Sequence, residues 1–339
     1  MKCFVATLSL LLIVSSTQAV SPTNMVFVKG GTFKMGDTWG DGKANQRPVH
    51  LVTLDSFEIS ESEVTLGEVA RVLNWAYKNG KILIEKKVVK SNEINPKDIL
   101  LTYDFQWDGK QLSPKGSPNL PCRFISWYGA TLYCNYRSEM DGLAPCYDEE
   151  SSTSRWVCDF SKNGYRLPTE AEWEYSARGG ALSRNRKYSG SAVLDLVGWC
   201  QNNNGKMVTT SQERKRNSDY DGSNEEWTLF THTEVTSLAK VYPVGTKPPN
   251  ELKLFDMSGN VAEWCYDWYG DYEVGPQTNP KNPTESMMSD NREKVLRGGS
   301  YLSESKDCRV DSRTGSPPDE MIAGFRVARS VLSKENVTK

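Results

Sequence analysis

Apolar and polar positions first fall into short extended runs. Met25-Val26-Phe27-Val28 leads into Gly30-Gly31, and Thr32-Phe33-Lys34-Met35-Gly36 follows, a hairpin-like pattern around a glycine turn. Val49-His50-Leu51-Val52-Thr53-Leu54 is a further β-rich run. The period then changes. Thr65 and Glu68 form a capping box, and Val69, Val72, Leu73 and Ala76 recur at helical spacing until Gly80. A second helix is expected after Ser126, through Tyr133 to Met140, with Gly142 as its stop. A third starts at Thr169, again with a capping Glu172, and ends near Gly179-Gly180. From Gly180 to Val241 the chain is rich in Asn, Ser, Gly and charge, and reads as irregular. Gly270 to Glu293 is another polar stretch. Few long helices and many loops predict an α+β single domain with little regular secondary structure, spanning residues 22–333, before a tail at 334–339.

Composition adds a globular class. The 339 residues are 37% hydrophobic and 25% charged, too apolar for disorder, and the net charge of −2 gives no global attraction for nucleic acid. The basic cluster Arg214-Lys215-Arg216 reads as a solvated loop. Residues 1–19 have the form of a secretory signal peptide: Met1-Lys2, an apolar run from Phe4 to Val14, then small residues up to Ala19. That run is short for a membrane span, so the expectation is an exported chain with none. Export would place Cys122, Cys134, Cys146, Cys158, Cys200, Cys265 and Cys308 in a disulfide-permissive compartment. Seven is odd, so at least one lacks an intramolecular partner. Polar residues between Cys146 and Cys158 make that pair the first candidate bridge, although sequence alone leaves the connectivity open.

Several enzyme classes find no support. His50 and His232 are the two histidines, which excludes a His-rich metal site. There is no His-Glu-x-x-His, no Gly-x-Ser-x-Gly elbow and no phosphate-cradling Gly-x-x-x-x-Gly-Lys loop. Glu170, Glu172 and Glu174 are spaced by two, which turns successive carboxylates to different helix faces rather than across a glycosidic bond.

A series of segments carries a resemblance. They are Gly30 to Gly36; Arg47-Pro48-Val49-His50; Glu63-Val64-Thr65; Ser126 to Ala130; Cys134-Asn135-Tyr136; Tyr165-Arg166-Leu167-Pro168-Thr169-Glu170-Ala171-Glu172-Trp173-Glu174; Pro243-Val244-Gly245; Asp256 to Trp264; Arg297-Gly298-Gly299-Ser300; and Gly324-Phe325-Arg326-Val327-Ala328. In this order the chain resembles the formylglycine-generating-enzyme (sulfatase-modifying factor) family. The resemblance implies that family's variant of the C-type lectin fold. Physically, Arg166, Arg297 and Arg326 suit buttressing of loops through carboxylates or carbonyls. Gly298-Gly299 suits a close backbone approach. The resemblance also implies a calcium loop in which Asn260 and Glu263 match the oxygen ligands; the competing reading is a loop held by their hydrogen bonds.

One departure bears on function. The family's enzymes oxidise a substrate cysteine to formylglycine, with reactive cysteines at the third and eighth positions after the Ser of Gly-Gly-Ser. Here those positions hold Ser303 and Cys308. A soft copper(I) ion in a two-coordinate site needs two thiolates, and a serine hydroxyl is a hard, protonated substitute. The expectation is therefore a non-catalytic ligand-binding or structural protein, its ligand an unidentified protein or small molecule. Its binding face would be built by Trp264, Tyr266 and Trp268 with the interval Tyr301 to Ala323, including Ser300, Tyr301, Ser303, Ser305, Asp307, Asp311 and Arg313. Two alternatives stand beside it: an oxidase using Cys308 alone or another metal, and a variable receptor of a diversity-generating retroelement.

Overall fold

The computed structural model describes residues 24–85, 88–91, 99–100, 104–150, 155–204, 206–218, 225–237, 240–281 and 292–331. The segment read as a signal peptide and the C-terminal tail lie outside them. In chain order the elements are β1 (Met25–Val28), β2 (Gly31–Met35), β3 (His50–Leu54), β4 (Phe57–Ser60), α1 (Leu66–Lys78), β5 (Ile82–Glu85), β6 (Val88–Ser91), β7 (Ile99–Leu100), β8 (Phe105–Trp107), β9 (Leu112–Pro114) and α2 (Trp127–Met140). Then follow β10 (Tyr147–Glu150), β11 (Arg155–Cys158), α3 (Glu170–Ala177), β12 (Lys206–Ser218), β13 (Glu225–Ser237), β14 (Glu263–Trp268), β15 (Gln277–Thr278), β16 (Lys294–Arg297), β17 (Arg313–Ser316) and β18 (Ala328–Ser330).

The helices begin where their caps predict. Thr65 and Thr169 each accept the backbone N–H of the Glu three residues on, and Ser126 accepts that of Gly129. The first strands pair differently from the expected hairpin. β1 pairs with β4, which also pairs with β18, whereas β2 pairs with β3 in a second sheet. Gly30 is therefore a crossing between sheets: a Cβ there would meet the Leu54 carbonyl oxygen at 2.3 Å. A third sheet has the order β14-β16-β17. One apolar core gathers α1 and α2 around Trp127, Trp264 and Phe325. A second lies between β2, β3, β4 and α3, around Trp173, Met257 and Val310.

α3 has no apolar stripe, and every one of its residues is buried. Its three glutamates are tolerated because each meets an arginine. Glu170 takes two hydrogen bonds from Arg313 (2.7 and 2.9 Å), Glu172 two from Arg166 (2.7 Å each), and Glu174 pairs with Arg178 at 2.8 Å and with Arg297. The spacing of two thus sends each carboxylate to a different cation. A buried ion pair of this kind survives desolvation only when its remaining lone pairs and protons are also bonded.

The stretch Gly180 to Val241 is less irregular than the sequence suggests. β12 and β13 form a ribbon of thirteen paired positions, from Lys206↔Ser237 to Ser218↔Glu225. His232 and Arg214 to Arg216 fall at register positions on it rather than in a loop. Its strands mix Lys, Arg, Thr, Ser and Glu without the apolar alternation that marks a strand against a core, so the pattern gave no strand signal. Among the described residues, no helix is long and apolar enough to cross a membrane.

Candidate functional site

The site is organised by the turn after β16. Gly298 and Gly299 both take positive φ, 86° and 67°. A Cβ on Gly299 would lie 2.6 Å from the Asp307 carbonyl oxygen and 2.9 Å from the Cys308 sulfur, so only glycine lets the next helical turn fold back beneath it. Ser300 and Ser303 close that turn. The Ser300 N–H donates to the Ser303 hydroxyl oxygen at 2.9 Å, and the Ser303 N–H donates to the Ser300 carbonyl at 2.9 Å. The two hydroxyls are 3.3 Å apart. Ser303 is therefore an acceptor that serves the turn.

Cys308 ends the short 3-10 turn Ser305–Cys308 and is fully buried. Burial pushes its thiol well above the ordinary range. It is not isolated: Cys200 and Leu194 share its apolar cluster, with Tyr188 packed against it. Sequence reasoning missed Cys200, because more than a hundred residues separate the two and no motif joins them. The contact comes from the segment Trp199 to Asn204, which runs beside the turn. The Gln201 N–H donates to the Ser303 carbonyl at 3.0 Å, Asn204 donates to the Tyr301 carbonyl, and the Cys200 sulfur lies 4.0 Å from the Ser305 hydroxyl.

Asn260 ties these segments together. It is fully buried and left-handed, with φ 59°. Its N–H donates to the Trp199 carbonyl and its own carbonyl accepts from Tyr301, both at 2.8 Å. Its amide oxygen accepts the Tyr242 N–H at 3.1 Å, and its amide nitrogen donates to Glu63 at 3.0 Å and to the Tyr242 carbonyl at 3.2 Å. Three half-buried aromatics consequently stand around one residue: Trp199, Tyr242 and Tyr301. Trp199 and Tyr242 are stacked, with centroids 3.7 Å apart and planes 12° from parallel. The Lys247 ammonium lies 4.1 Å from the Trp199 ring centre. Tyr301 meets Arg123, which holds Asp104 through two bonds of 3.1 Å. Leu302 is exposed beside them.

Only part of the expected binding face is present. Ser300, Tyr301, Ser303, Ser305 and Asp307 are half-buried on the turn, and Asp307 pairs with Lys43 at 2.6 Å. Trp264 is core: it has no exposed surface, and its indole N–H donates to the Ile125 carbonyl at 2.9 Å. Tyr266 is half-buried against the same core, on Trp127, Tyr147 and Phe160, and beyond a register shift in β14 Trp268 lies under the Lys294 ammonium at 3.7 Å. Asp311 is fully buried against Arg309, at 2.9 and 3.0 Å, and Arg313 is buried on Glu170. These two positions alternate into the ion-pair lattice, because the chain after Cys308 becomes the start of β17 inside the third sheet.

Glu263 accepts Arg326 at both oxygens, 2.7 and 2.8 Å, and the Trp173 indole N–H at 2.8 Å. With Asn260 committed as described, neither side chain of the expected calcium pair fits a cation as arranged; both act as bonds within the protein. Nearby, Asp256 is raised to about 6, chiefly by burial, and one of its carboxylate oxygens is buried without a partner. Burial, with Asp256 and Glu263 as like-charged neighbours, also pushes Glu63 well up against the opposing field of Arg326.

The model of the sulfatase-modifying factor enzyme 1-like domain matches residues 12–331. The chain is 30% identical to a formylglycine-generating enzyme of Streptomyces coelicolor, over 91% of this chain and 90% of that protein. It is 32% identical to the chaperone protein LppX of Paenibacillus barcinonensis, over 62% of this chain and 70% of that protein. Among solved structures, Treponema denticola variable protein 1 superposes with a TM-score of 0.62 at 24% identity, covering 91% of this chain and 95% of the other. That likeness confirms the α+β, C-type-lectin-like architecture.

Proposed function

Since the chain belongs to the sulfatase-modifying factor enzyme 1-like family, we propose that it is an exported, non-catalytic binding member of it. The observation that carries this reading is the bond from the Ser300 N–H to the Ser303 hydroxyl. Where the resemblance calls for a first reactive thiolate, this chain has a hard oxygen already used by its own turn. The binding surface is the group formed by Trp199, Tyr242, Tyr301 and Leu302, with Lys247 and Arg123 at its edges. Half-buried aromatics on a rigid support offer contact area at low entropic cost, and flanking cations add orientation. Trp264, Asp311 and Arg313 have no place in it.

The test is incubation of the purified protein with copper and a sulfatase-type cysteine peptide. No aldehyde above the protein-free blank is expected; robust aldehyde formation overturns the binding reading. One observation favours a second reading, a metal-dependent oxidase: Cys200 brings a second sulfur into the cluster of Cys308. Two thiols form a donor set suited to a soft monovalent ion. If aldehyde does form, its loss in Cys200→Ser would assign the activity to this pair.

A further inference from the structure

Another pair of cysteines lies away from that surface, at the foot of the β10–β11 hairpin. Cys158 faces Tyr147 in the ladder, and the Asp159 N–H donates to the Cys146 carbonyl at 2.8 Å, so the two cysteines sit on the diagonal of adjacent strands. The ladder register brings the two side chains together, and each thiol perturbs the other's titration. Cys146 is fully buried and Cys158 is half-buried. The Arg166 guanidinium, held on Glu172, favours the thiolate at both. The neighbouring Cys158 side chain lowers Cys146 below the usual thiol range, while burial raises Cys158. Cys134, on α2, is a third thiol close enough to feel them both, and burial pushes it well up.

We propose that Cys146 and Cys158 form a redox-modification site, a dithiol that closes by exchange with a small external disulfide of the glutathione type. Access rather than acidity sets the order, and Cys158, the half-buried residue, reacts first. Its thiol gives up a proton and attacks one sulfur of the external disulfide, forming a mixed disulfide and releasing one external thiolate, which takes up that proton. The Cys146 thiolate then attacks the Cys158 sulfur and expels the second external thiolate, which is protonated in turn. Two protein thiols are oxidised to one bridge, and one external disulfide is reduced to two thiols. A thiolate-favouring environment suits Cys146 to this second attack.

The bridge has a structural consequence. It closes the loop of β10 and β11 against α2, where Asn135 already holds the Tyr147 backbone at 2.7 and 3.0 Å. Two residues past Cys158, the Phe160 ring lies between Arg166, at 4.5 Å, and Lys281, at 3.9 Å. Those residues line a cleft of about 740 Å³ with Glu172 and Asn279. The oxidation state of the pair therefore fixes or frees one wall of that cleft.

The test uses the whole chain, equilibrated with oxidised or reduced glutathione, alkylated, digested and mass-mapped. Oxidised glutathione is expected to link Cys146 to Cys158 and reduced glutathione to open the link, with Cys134 alkylatable after unfolding in both. Cys146→Ser is expected to trap glutathione on Cys158, whereas Cys158→Ser is expected to leave Cys146 unmodified because Cys146 is fully buried. Reductant should lower the thermal midpoint of the wild type by several degrees and leave that of Cys146→Ser unchanged. Free thiols at both positions after oxidised glutathione, or a bridge to Cys134 instead, would overturn the proposal. These outcomes do not depend on the surface around Tyr301 or on the copper assay.

Discussion

The ion-pair lattice around α3 and the turn Ser300 to Cys308 are adjoining parts of one molecule built on opposite terms. In the lattice, Arg166, Arg297, Arg313 and Arg326 are all buried, each on a carboxylate, and three of them also donate to backbone carbonyls of chain segments far apart in sequence. In the turn, the bonds within it span only two or three residues, and every side chain from Ser300 to Asp307 is half-buried or exposed; Cys308 alone is buried. One region is over-determined and the other lightly specified. Surface chemistry can therefore change on the turn with little effect on the fold, because the fold is secured elsewhere.

The sharpest way to break that contrast is to truncate the lattice. Arg326→Ala leaves Glu263 buried without its bidentate partner and strips donors from the Ser60 and Phe255 carbonyls. A loss of about 3–5 kcal/mol is expected in urea unfolding; a midpoint close to wild type would mean the lattice is not what secures the fold. Next comes the pH dependence of the lattice edge. Asp256 is raised to about 6 in the folded chain, so its contribution is fully present below its unfolded value and is lost as pH rises through about 6. Asp256→Asn keeps the left-handed backbone that Asn tolerates. Its stability relative to wild type should therefore grow between about pH 4 and about pH 8, by up to about 3 kcal/mol; a pH-independent difference would sink the assignment.

Smaller effects are expected on the turn. Ser303→Cys weakens one hydrogen bond and should cost about 1 kcal/mol, while copper(I) titration should show tighter binding than wild type. Unchanged copper binding would mean that the substitution at 303 is not what separates this chain from a two-thiolate site. Smallest of all, Leu302→Ser should move the urea midpoint by less than about 0.5 kcal/mol; a larger loss would show that the exposed turn secures the fold after all.

The contrast also explains what the sequence disclosed. Helix starts at Leu66, Trp127 and Glu170 were legible, because a capping side chain three residues from its N–H is local information. The arginines of Arg166-Leu-Pro, Arg297-Gly-Gly and Gly-Phe-Arg326 read as buttresses, and they are. Their partners were not legible, since Arg313 meets Glu170 across 143 positions. Trp264, Tyr266 and Trp268 were expected on one binding face, but closeness along the chain does not say whether solvent or core lies over a residue, and Trp264 is core. Asn260 was legible either as an ion ligand or as a residue holding its loop by hydrogen bonds; in the structure its amide bonds Tyr242 and Glu63. Cys200 carried no signal at all, because two apolar thiols brought together by tertiary packing leave no trace in spacing. The β12–β13 ribbon stayed hidden since its strands are not patterned against a core.

That ribbon leaves and rejoins the body at almost one point, because Lys206 stands opposite Ser237 in its first rung. To the rest of the molecule, the whole excursion is thus equivalent to a tight turn. Replacing it with a short turn between the same two ends is therefore expected to leave the urea midpoint of the body close to that of the whole chain. Evolution and the protein engineer have the same socket available to them, set directly beside Asn204, whose amide holds the Tyr301 carbonyl.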